Sequence, residues 1–234
     1  RLDGTLRQAV ADFDFNTYVR ALTDFCNEDL SAFFFDIRKD CLYCDAPDSP
    51  KRMAYRTVLD TLFHTLVRYA APVLVFTAEE VWGTRFPDAG SVHLLEWPEV
   101  PCAHLSDEQY AKWQPRRALR SAVTRAIEPL RRDKTIGSSL EADVDIALQN
   151  ADDVELIESV DFAEVCIAAR VTPHFGRIFA NTDTWFDSLI SSGDVTRTAH
   201  HKCGRCWRHL PEVTEDGALC SRCDHVIADM GQSA

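Results

Sequence analysis

The chain is short of everything a membrane or secreted protein needs. No run of about 18 apolar residues occurs, which excludes a membrane-spanning helix of ordinary length. The opening residues, Arg1-Leu2-Asp3-Gly4, have no signal-peptide character. Methionine is scarce: Met53 and Met230 are the only two, and no initiator Met opens the chain, so a fragment of a longer polypeptide is expected. Basic charge is also in deficit. Lys and Arg number 25 against 37 Asp and Glu, a net of −12 over 234 residues, which excludes a uniformly basic nucleic-acid binder. The familiar catalytic signatures are missing too: there is no G-x-G-x-x-G, P-loop, G-x-S-x-G or H-E-x-x-H. No pair of carboxylates stands out, and His64 lies within an apolar helical stretch, where a packed histidine is the simpler expectation. No catalytic residue is expected in this chain.

What is present is ordinary in bulk and uneven in detail. A hydrophobic fraction of 46% with 26% charged residues is that of a folded protein rather than a disordered one. The acidic total hides a basic segment. Residues 101–134 carry a net +4, whereas residues 135–194 carry −10, and local potential steers a polyanion better than total charge does. Arg116, Arg117, Arg120, Arg125, Arg131, Arg132 and Lys134 lie on or just after one expected helix, with Arg117, Arg120 and Arg131 roughly on one face. They read equally as a phosphate-contacting stripe or as a solvated face paired with neighbouring acids.

Helical periodicity dominates the first 134 residues. A long amphipathic helix is expected over 14–37, interrupted on its apolar side only by Asp29. A loop at 45–50 precedes a second helix at about 52–70, whose stripe is Val58, Leu59, Leu62, Phe63, Leu66 and Val67; Pro72 ends it. Thr77-Ala78-Glu79-Glu80 has the form of a capping box opening a short helix, and Ser106-Asp107-Glu108-Gln109 another, whose helix runs to about 132 with kinks near Pro115 and Pro129. The proline- and glycine-containing stretch 83–105 reads as a connection. Beyond Gly137 the period changes: strands are expected at 143–148, at 165–171 and, more weakly, at 177–180, with a helix at 152–160. The expected architecture is therefore mainly α, in three parts: a helical bundle over 1–134, a small α+β unit over 135–194 and a cysteine-centred unit over 195–234.

Nine cysteines without a secretion signal point to metal and free thiols rather than disulfides. Cys203, Cys206, Cys220 and Cys223 form C-x2-C-x13-C-x2-C, two knuckles able to set four thiolates tetrahedrally about one structural Zn2+. Gly204 and Ser221 supply small residues at the turns. Two disulfides or four reduced thiols are the alternatives. His200, His201, His209 or His225 replacing a thiol is a further one, and Cys41 and Cys44 are expected to pack at a helix end. Arg205, Trp207, Arg208 and Arg222 decorate the knuckles. Trp207 either stacks on an unpaired base while the arginines hold phosphate, or covers the metal site as a miniature core.

Several of these stretches, in this order, resemble the isoleucyl-tRNA synthetases. Phe25-Cys26-Asn27-Glu28-Asp29-Leu30-Ser31 with Lys39-Asp40 and Leu42-Tyr43-Cys44 is similar to the first anticodon-domain helix and the turn after it. Thr77-Ala78-Glu79-Glu80-Val81-Trp82, Ser91-Val92-His93-Leu94 and Arg132-Asp133-Lys134-Thr135-Ile136-Gly137 match further pieces, and the two cysteine knuckles resemble the closing zinc finger of the bacterial enzymes. Cys41 stands where that family usually has an arginine. The family's H-x-G-H and K-M-S-K-S signatures, its Rossmann catalytic domain and its editing domain are absent; the resemblance places them before Arg1. It implies a C-terminal fragment of an ATP-dependent isoleucine–tRNA ligase, inactive alone, cytoplasmic and monomeric. Such a fragment would bind tRNA through Arg117, Arg120, Arg131, Arg132, Lys134, Arg205, Trp207 and Arg208, with ATP used only by the missing domain and no DNA or membrane partner. Valyl and leucyl relatives share the helical domain but not the closing knuckles. Two alternatives stand beside it: a protein-interaction or nucleic-acid-binding zinc module unconnected with aminoacylation, and a DNA glycosylase fragment sharing the finger. The N-terminal proline nucleophile of those glycosylases has no counterpart in Arg1.

Overall fold

The computed structural model describes residues 1–100, 106–180 and 189–232; Cys102 and the end of the expected 83–105 connection fall outside these. The chain divides into two compact units, Arg1–Ala103 and His104–Ala234. The division follows packing and not composition. The last long helix, which the sequence groups with the helical bundle, folds with the sheet, and the cysteine unit belongs to the same second unit.

The first unit is helical. Helix α1 (Leu2–Ala11) turns through Phe13, in the left-handed region at φ 56°, into α2 (Phe15–Asp24). Asp14 starts α2 by accepting a hydrogen bond from the Thr17 amide at 3.0 Å, satisfying one of the unpaired N–H groups of the first turn. Without a break α2 passes into a π-helical stretch, Phe25–Phe35, and then into α3 (Asp36–Cys44). The amphipathic helix expected over 14–37 is thus one continuous rod, but its middle is wound wider than an α-helix. That winding keeps residues four and five apart on one side. Cys26, Leu30 and Phe34 stay on the inner side, and Asp29 is half-buried beside them. Cys41 and Cys44 are buried at the end of α3.

Helix α4 (Pro50–Ala70) has proline at its first position, where the missing N–H costs nothing. Its inner residues are Tyr55, Thr65, Val67 and Tyr69, while Val58, expected in the stripe, is exposed. Helix α5 (Val75–Arg85) begins two residues before Thr77, so the expected capping box is not formed. Glu79 instead reaches out of α5. Its Oε2 accepts from Ser91 Oγ (2.8 Å) and from the Val92 amide (3.0 Å), pinning the short 3-10 turn Val92–Leu94. One core cluster joins these elements through Val67, Ala71, Ala78, Trp82 and Val92. His64 stacks on Phe86 with ring centroids 5.4 Å apart, the packed histidine the sequence led us to expect. A second cluster holds Leu6, Ala9, Tyr18 and Tyr69. Burial of a side chain the size of Leu6 contributes about 1.5–3 kcal/mol. At its edge Asp3 Oδ1 accepts from Tyr69 Oη (2.5 Å) and Trp97 Nε1 (2.7 Å), tying α1 to the end of α4 and to the chain beyond the 3-10 turn.

The second unit opens on α6 (Asp107–Ala111), where the capping box is complete: Ser106 Oγ accepts from the Gln109 amide and Gln109 Oε1 from the Ser106 amide. The helix breaks at Lys112 and resumes as α7 (Trp113–Arg132), with Pro115 in its first turn and Pro129 inside it. Leu119, Ala122, Val123, Ala126 and Ile127, spaced by three and four, form its buried face. Strand β1 (Ala142–Leu148) follows, then α8 (Ala151–Glu158), α9 (Phe162–Cys166), β2 (Arg170–Phe175), β3 (Ile190–Arg197) and finally α10 (Ser221–Gln232). The sheet order is β2-β1-β3, with β2 parallel and β3 antiparallel to β1.

Three expectations change here. The strand expected at 165–171 is mostly helix and turn. Asp161 caps α9 by accepting from the Glu164 amide at 2.9 Å, and Ile167, left-handed at φ 55°, ends it. The weaker strand at 177–180 is not formed. The third strand is β3, which the sequence reading missed. The mainly-α architecture with a small α+β portion and a four-cysteine end stands.

Candidate metal centre and nucleic-acid interface

Two separate stretches bring the four thiols together. The first is the tight loop after residue 202. Arg208 O accepts from the Cys203 amide (2.9 Å) and Cys203 O from the Trp207 amide (3.1 Å), so Cys203 and Cys206 face the same side. The second is the start of α10, where Cys220 precedes the helix and Cys223 lies in its first turn. Glu212 holds that start by accepting from the Ser221 amide and hydroxyl. The two stretches are laced by Gly204 N–H to Ala218 O (3.0 Å) and Gly217 N–H to Lys202 O (2.9 Å). A Cβ on Gly204 would lie 2.4 Å from Gly217 O, and Gly217 itself has φ 95°, so glycine is required at both positions. The sequence marks Gly204 as a turn residue; the structure adds that the Gly217 backbone lies directly against it.

All four sulfurs are buried and lie within 4.8 Å of one another, and Cys206 Sγ is 3.9 Å from Cys220 Sγ. Ligands at about 2.3 Å from one tetrahedral ion sit about 3.8 Å apart, so the donor set fits a four-thiolate metal ion. Burial pushes the Cys203 thiol up, but backbone amides of Arg205, Cys206 and Cys220 donating to its sulfur outweigh burial and bring it below its ordinary value. Burial raises Cys206 and Cys220. Arg205 Nη1 lies 3.6 Å from Cys223 Sγ, and the Arg222 side chain donates to Cys206. Both guanidiniums therefore face the sulfur cluster. His209 Nδ1 is 2.7 Å from His200 O, occupied outside the thiol set. Val213 and Val226 are the apolar side chains buried in this stretch besides the cysteines, among the described residues, and the sequence reading did not identify them. Trp207, in the left-handed region at φ 64°, is 62% exposed, so it does not roof the sulfurs; Lys202 Nζ stands 5.2 Å from its ring centroid.

The basic helix sorts into two populations. Arg116 is buried, donating to Leu156 O (3.1 Å) and Ser159 Oγ (2.7 Å). Arg120 is half-buried and its Nε donates to Val165 O at 2.8 Å, tying α7 to α9. Arg117 is also half-buried. Arg131, paired with Glu128 at 3.1 Å, is exposed, as are Arg132 and Lys134. These last three surround the end of α7, where Ile136 is buried and its amide donates to Leu130 O, while Lys134 adopts φ 65°. Arg208, at 3.7 Å from Asp161 Oδ2, links the first knuckle to the cap of α9. Of the expected tRNA-contacting residues, Arg131, Arg132, Lys134 and Trp207 are exposed, whereas Arg117, Arg205 and Arg208 are half-buried, Arg205 facing the sulfurs and Arg208 paired with Asp161. Arg120 has a structural partner instead.

Residues 4–146 match the family described as anticodon-binding domain of tRNA ligase. Over 97% of its length the chain is 54% identical to an isoleucine–tRNA ligase of Zymomonas mobilis subsp. mobilis, covering 23% of that protein. It is 43% identical to that of Agrobacterium fabrum, over 92% of the chain and 22% of the relative. With the Gluconobacter oxydans protein the identity is 44%, over 97% of the chain and 23% of the relative. The chain spans less than a quarter of the length of the curated relatives it matches.

Proposed function

We propose, from the premise that this chain belongs to the family of anticodon-binding domains of tRNA ligases, that it is the tRNA-binding C-terminal portion of an isoleucine–tRNA ligase. The observation that carries this is similarity along nearly the whole chain, knuckles included, to proteins of that name. The full-length parent would join isoleucine to its tRNA at the expense of ATP in the cytoplasm, with catalysis and editing carried out elsewhere in the polypeptide. No helix among the described residues is long and apolar enough to cross a membrane. The present chain acts as a monomeric reader of the anticodon stem and loop.

The chemistry of the exposed groups supports that role. Proteins read RNA sequence mainly in single-stranded loops, by stacking aromatic side chains on unpaired bases and by hydrogen bonds to base edges. Trp207 offers an exposed ring with Lys202 over one face and Arg205 and Arg208 close by in the chain; Arg131, Arg132 and Lys134 offer cations for phosphate. The metal at the four thiols is Zn2+, structural and coordinatively closed. Its contribution is a cross-link that holds the two knuckle stretches in one geometry, where a unit with so small an apolar core needs one.

The test is binding of the zinc-loaded chain to an isoleucine tRNA transcript and to the same transcript with its anticodon changed, at low and moderate salt. Preference for the native anticodon is expected. Equal binding to both would reduce the chain to a nonspecific electrostatic surface, and absence of binding by the full-length parent as well would overturn the assignment.

A further inference from the structure

A groove of about 650 Å³ opens in the first unit between the end of α3, the first half of α4 and the end of α5. Leu42, Met53 and Phe63 give it an apolar wall, and Arg56, Asp60 and Arg85 supply its charges. Its volume suits one small molecule. Arg56 and Asp60 lie four residues apart on α4, the spacing at which opposite charges on a helix can pair. Here they do not pair, because Asp60 Oδ1 accepts from Arg85 Nη2 and faces His64 Nε2 at 4.0 Å. Arg56 is exposed and makes no hydrogen bond or ion pair among the described residues. The groove thus holds one cation whose counter-charge has been drawn away, and an anionic group is what would complete it.

The same pairing fixes Arg85. Its guanidinium lies over the Phe63 ring, 4.2 Å from the centroid, and 5.3 Å from that of Phe86, yet the side chain is 42% exposed. A guanidinium backed by an aromatic ring is a planar platform, and flat heterocycles stack on such planes. Asp60 Oδ2 accepts nothing among the described residues and is open to an N–H on the edge of a stacked ring. From Arg56 to Phe63 the helix rises about 10 Å, comparable with the reach from a phosphate to the base it carries. Cation, acceptor and stacking plane therefore follow one another as phosphate, base edge and base face do. An acyl chain would leave Asp60 without a donor, and a bare anion would leave the Arg85 plane uncovered.

We propose that this groove seats one nucleoside monophosphate unit, its base on the Arg85 plane that Phe63 backs, an N–H of the base donating to Asp60, and its phosphate on Arg56. An unpaired nucleotide of tRNA and a free mononucleotide share this chemistry. The seat belongs to the first unit, whereas Arg131, Arg132, Lys134 and Trp207 belong to the second, so it does not depend on their part in reading the anticodon.

The experiment titrates the isotopically labelled, zinc-loaded chain with guanosine 5′-monophosphate, whose ring N–H and amino groups suit Asp60, and separately with guanosine and with inorganic phosphate. The expected result is saturable movement of the amide resonances of residues 56–63 and 85, with guanosine and phosphate each bound at least about tenfold more weakly. Arg56→Gln, a change at an exposed position, should weaken the monophosphate about 10–100-fold and leave guanosine as before. A repeat with an isoleucine tRNA transcript bound supports the seat in either of two ways and names its source: displacement of the monophosphate assigns it to a nucleotide of tRNA, and simultaneous binding assigns it to a free one. Inorganic phosphate bound as tightly as the monophosphate, an unaltered affinity in Arg56→Gln, or no movement at residues 56–63 would overturn the proposal. Loss of preference for the native anticodon with these shifts intact would instead defeat the anticodon-reading assignment and leave the seat standing.

Discussion

Gly204 and Gly217 touch backbone to backbone: the position of a methyl group on Gly204 is 2.4 Å from the Gly217 carbonyl oxygen. Gly204→Ala therefore forces the two loop segments apart. Overpacking of this kind costs about 1–3 kcal/mol, and here it falls on the stretch that aligns Cys203 and Cys206. Faster loss of metal to a competing chelator is expected, with little change in the melting of the helical first unit. Chelator resistance equal to that of the unaltered chain would show that the close approach is dispensable.

Four thiolates around a dication leave a net double negative charge, and Arg205 and Arg222 both face it. Arg205→Met keeps the length of the side chain and removes the charge. Loss of groups that support metal ligands typically lowers affinity about 10–100-fold, and that range is expected here, read from competition with a zinc-binding dye. Cys220→Ser should release the metal altogether and expose the amides of residues 200–226 to hydrogen exchange. Full retention of one metal per chain in that variant would refute the four-thiolate site.

Removal of Arg132 or of Lys134 should weaken tRNA binding and reduce the slope of log K against log salt by about one for each phosphate left unneutralised. Arg120→Ala should behave differently. Its Nε is committed to Val165 O, so its removal should lower stability by about 1–3 kcal/mol while leaving the salt slope in place. An unchanged slope for Arg132→Ala would strike that residue from the tRNA-binding surface, and a reduced slope for Arg120→Ala without destabilisation would return it.

Acid should separate Asp3 from its variants. Burial pushes this carboxyl up, yet hydrogen bonds from Tyr69, Trp97 and Arg7 outweigh it and hold the group at about 2. A carboxylate lowered on folding stabilises fully above its unfolded value near 3.8 and loses that contribution as pH falls through about 2. Asp3→Asn should thus be less stable than the parent chain by a constant margin above about pH 4, and the margin should shrink between about pH 4 and 2. A margin that stays level through that window in denaturant melts would mean that the charge on Asp3 contributes nothing.

What the sequence made legible was local. The spacing of Cys203, Cys206, Cys220 and Cys223 is a property of two short turns, and the box at Ser106 and Gln109 of one, so both could be read directly. Thr77 looked the same as Ser106 on paper, but Val75 and Phe76 already belong to the helix before it and Glu79 is drawn away to Ser91. Strand β3 was missed because its sequence, Ile-Ser-Ser-Gly-Asp-Val-Thr-Arg, is polar; its pairing with β1, across more than forty residues, makes it a strand. The charge of Arg120 was visible, whereas its direction was not, since the Val165 carbonyl that it meets lies on another element. Trp207 was read both as a roof and as a stacking ring, and only its exposure separates the two.

The bond from Trp97 to Asp3 joins residues 94 apart. During synthesis at about 5–20 residues per second, α1 waits roughly 5–20 s for the indole that completes its anchor. Through that interval the carboxylate of Asp3 has Arg7 within its own helix as its partner. Vectorial synthesis thus leaves the first helix of this unit among the last to be locked, and a pause in translation before Trp97 would prolong the time for which Leu6 and Ala9 are open to chaperones.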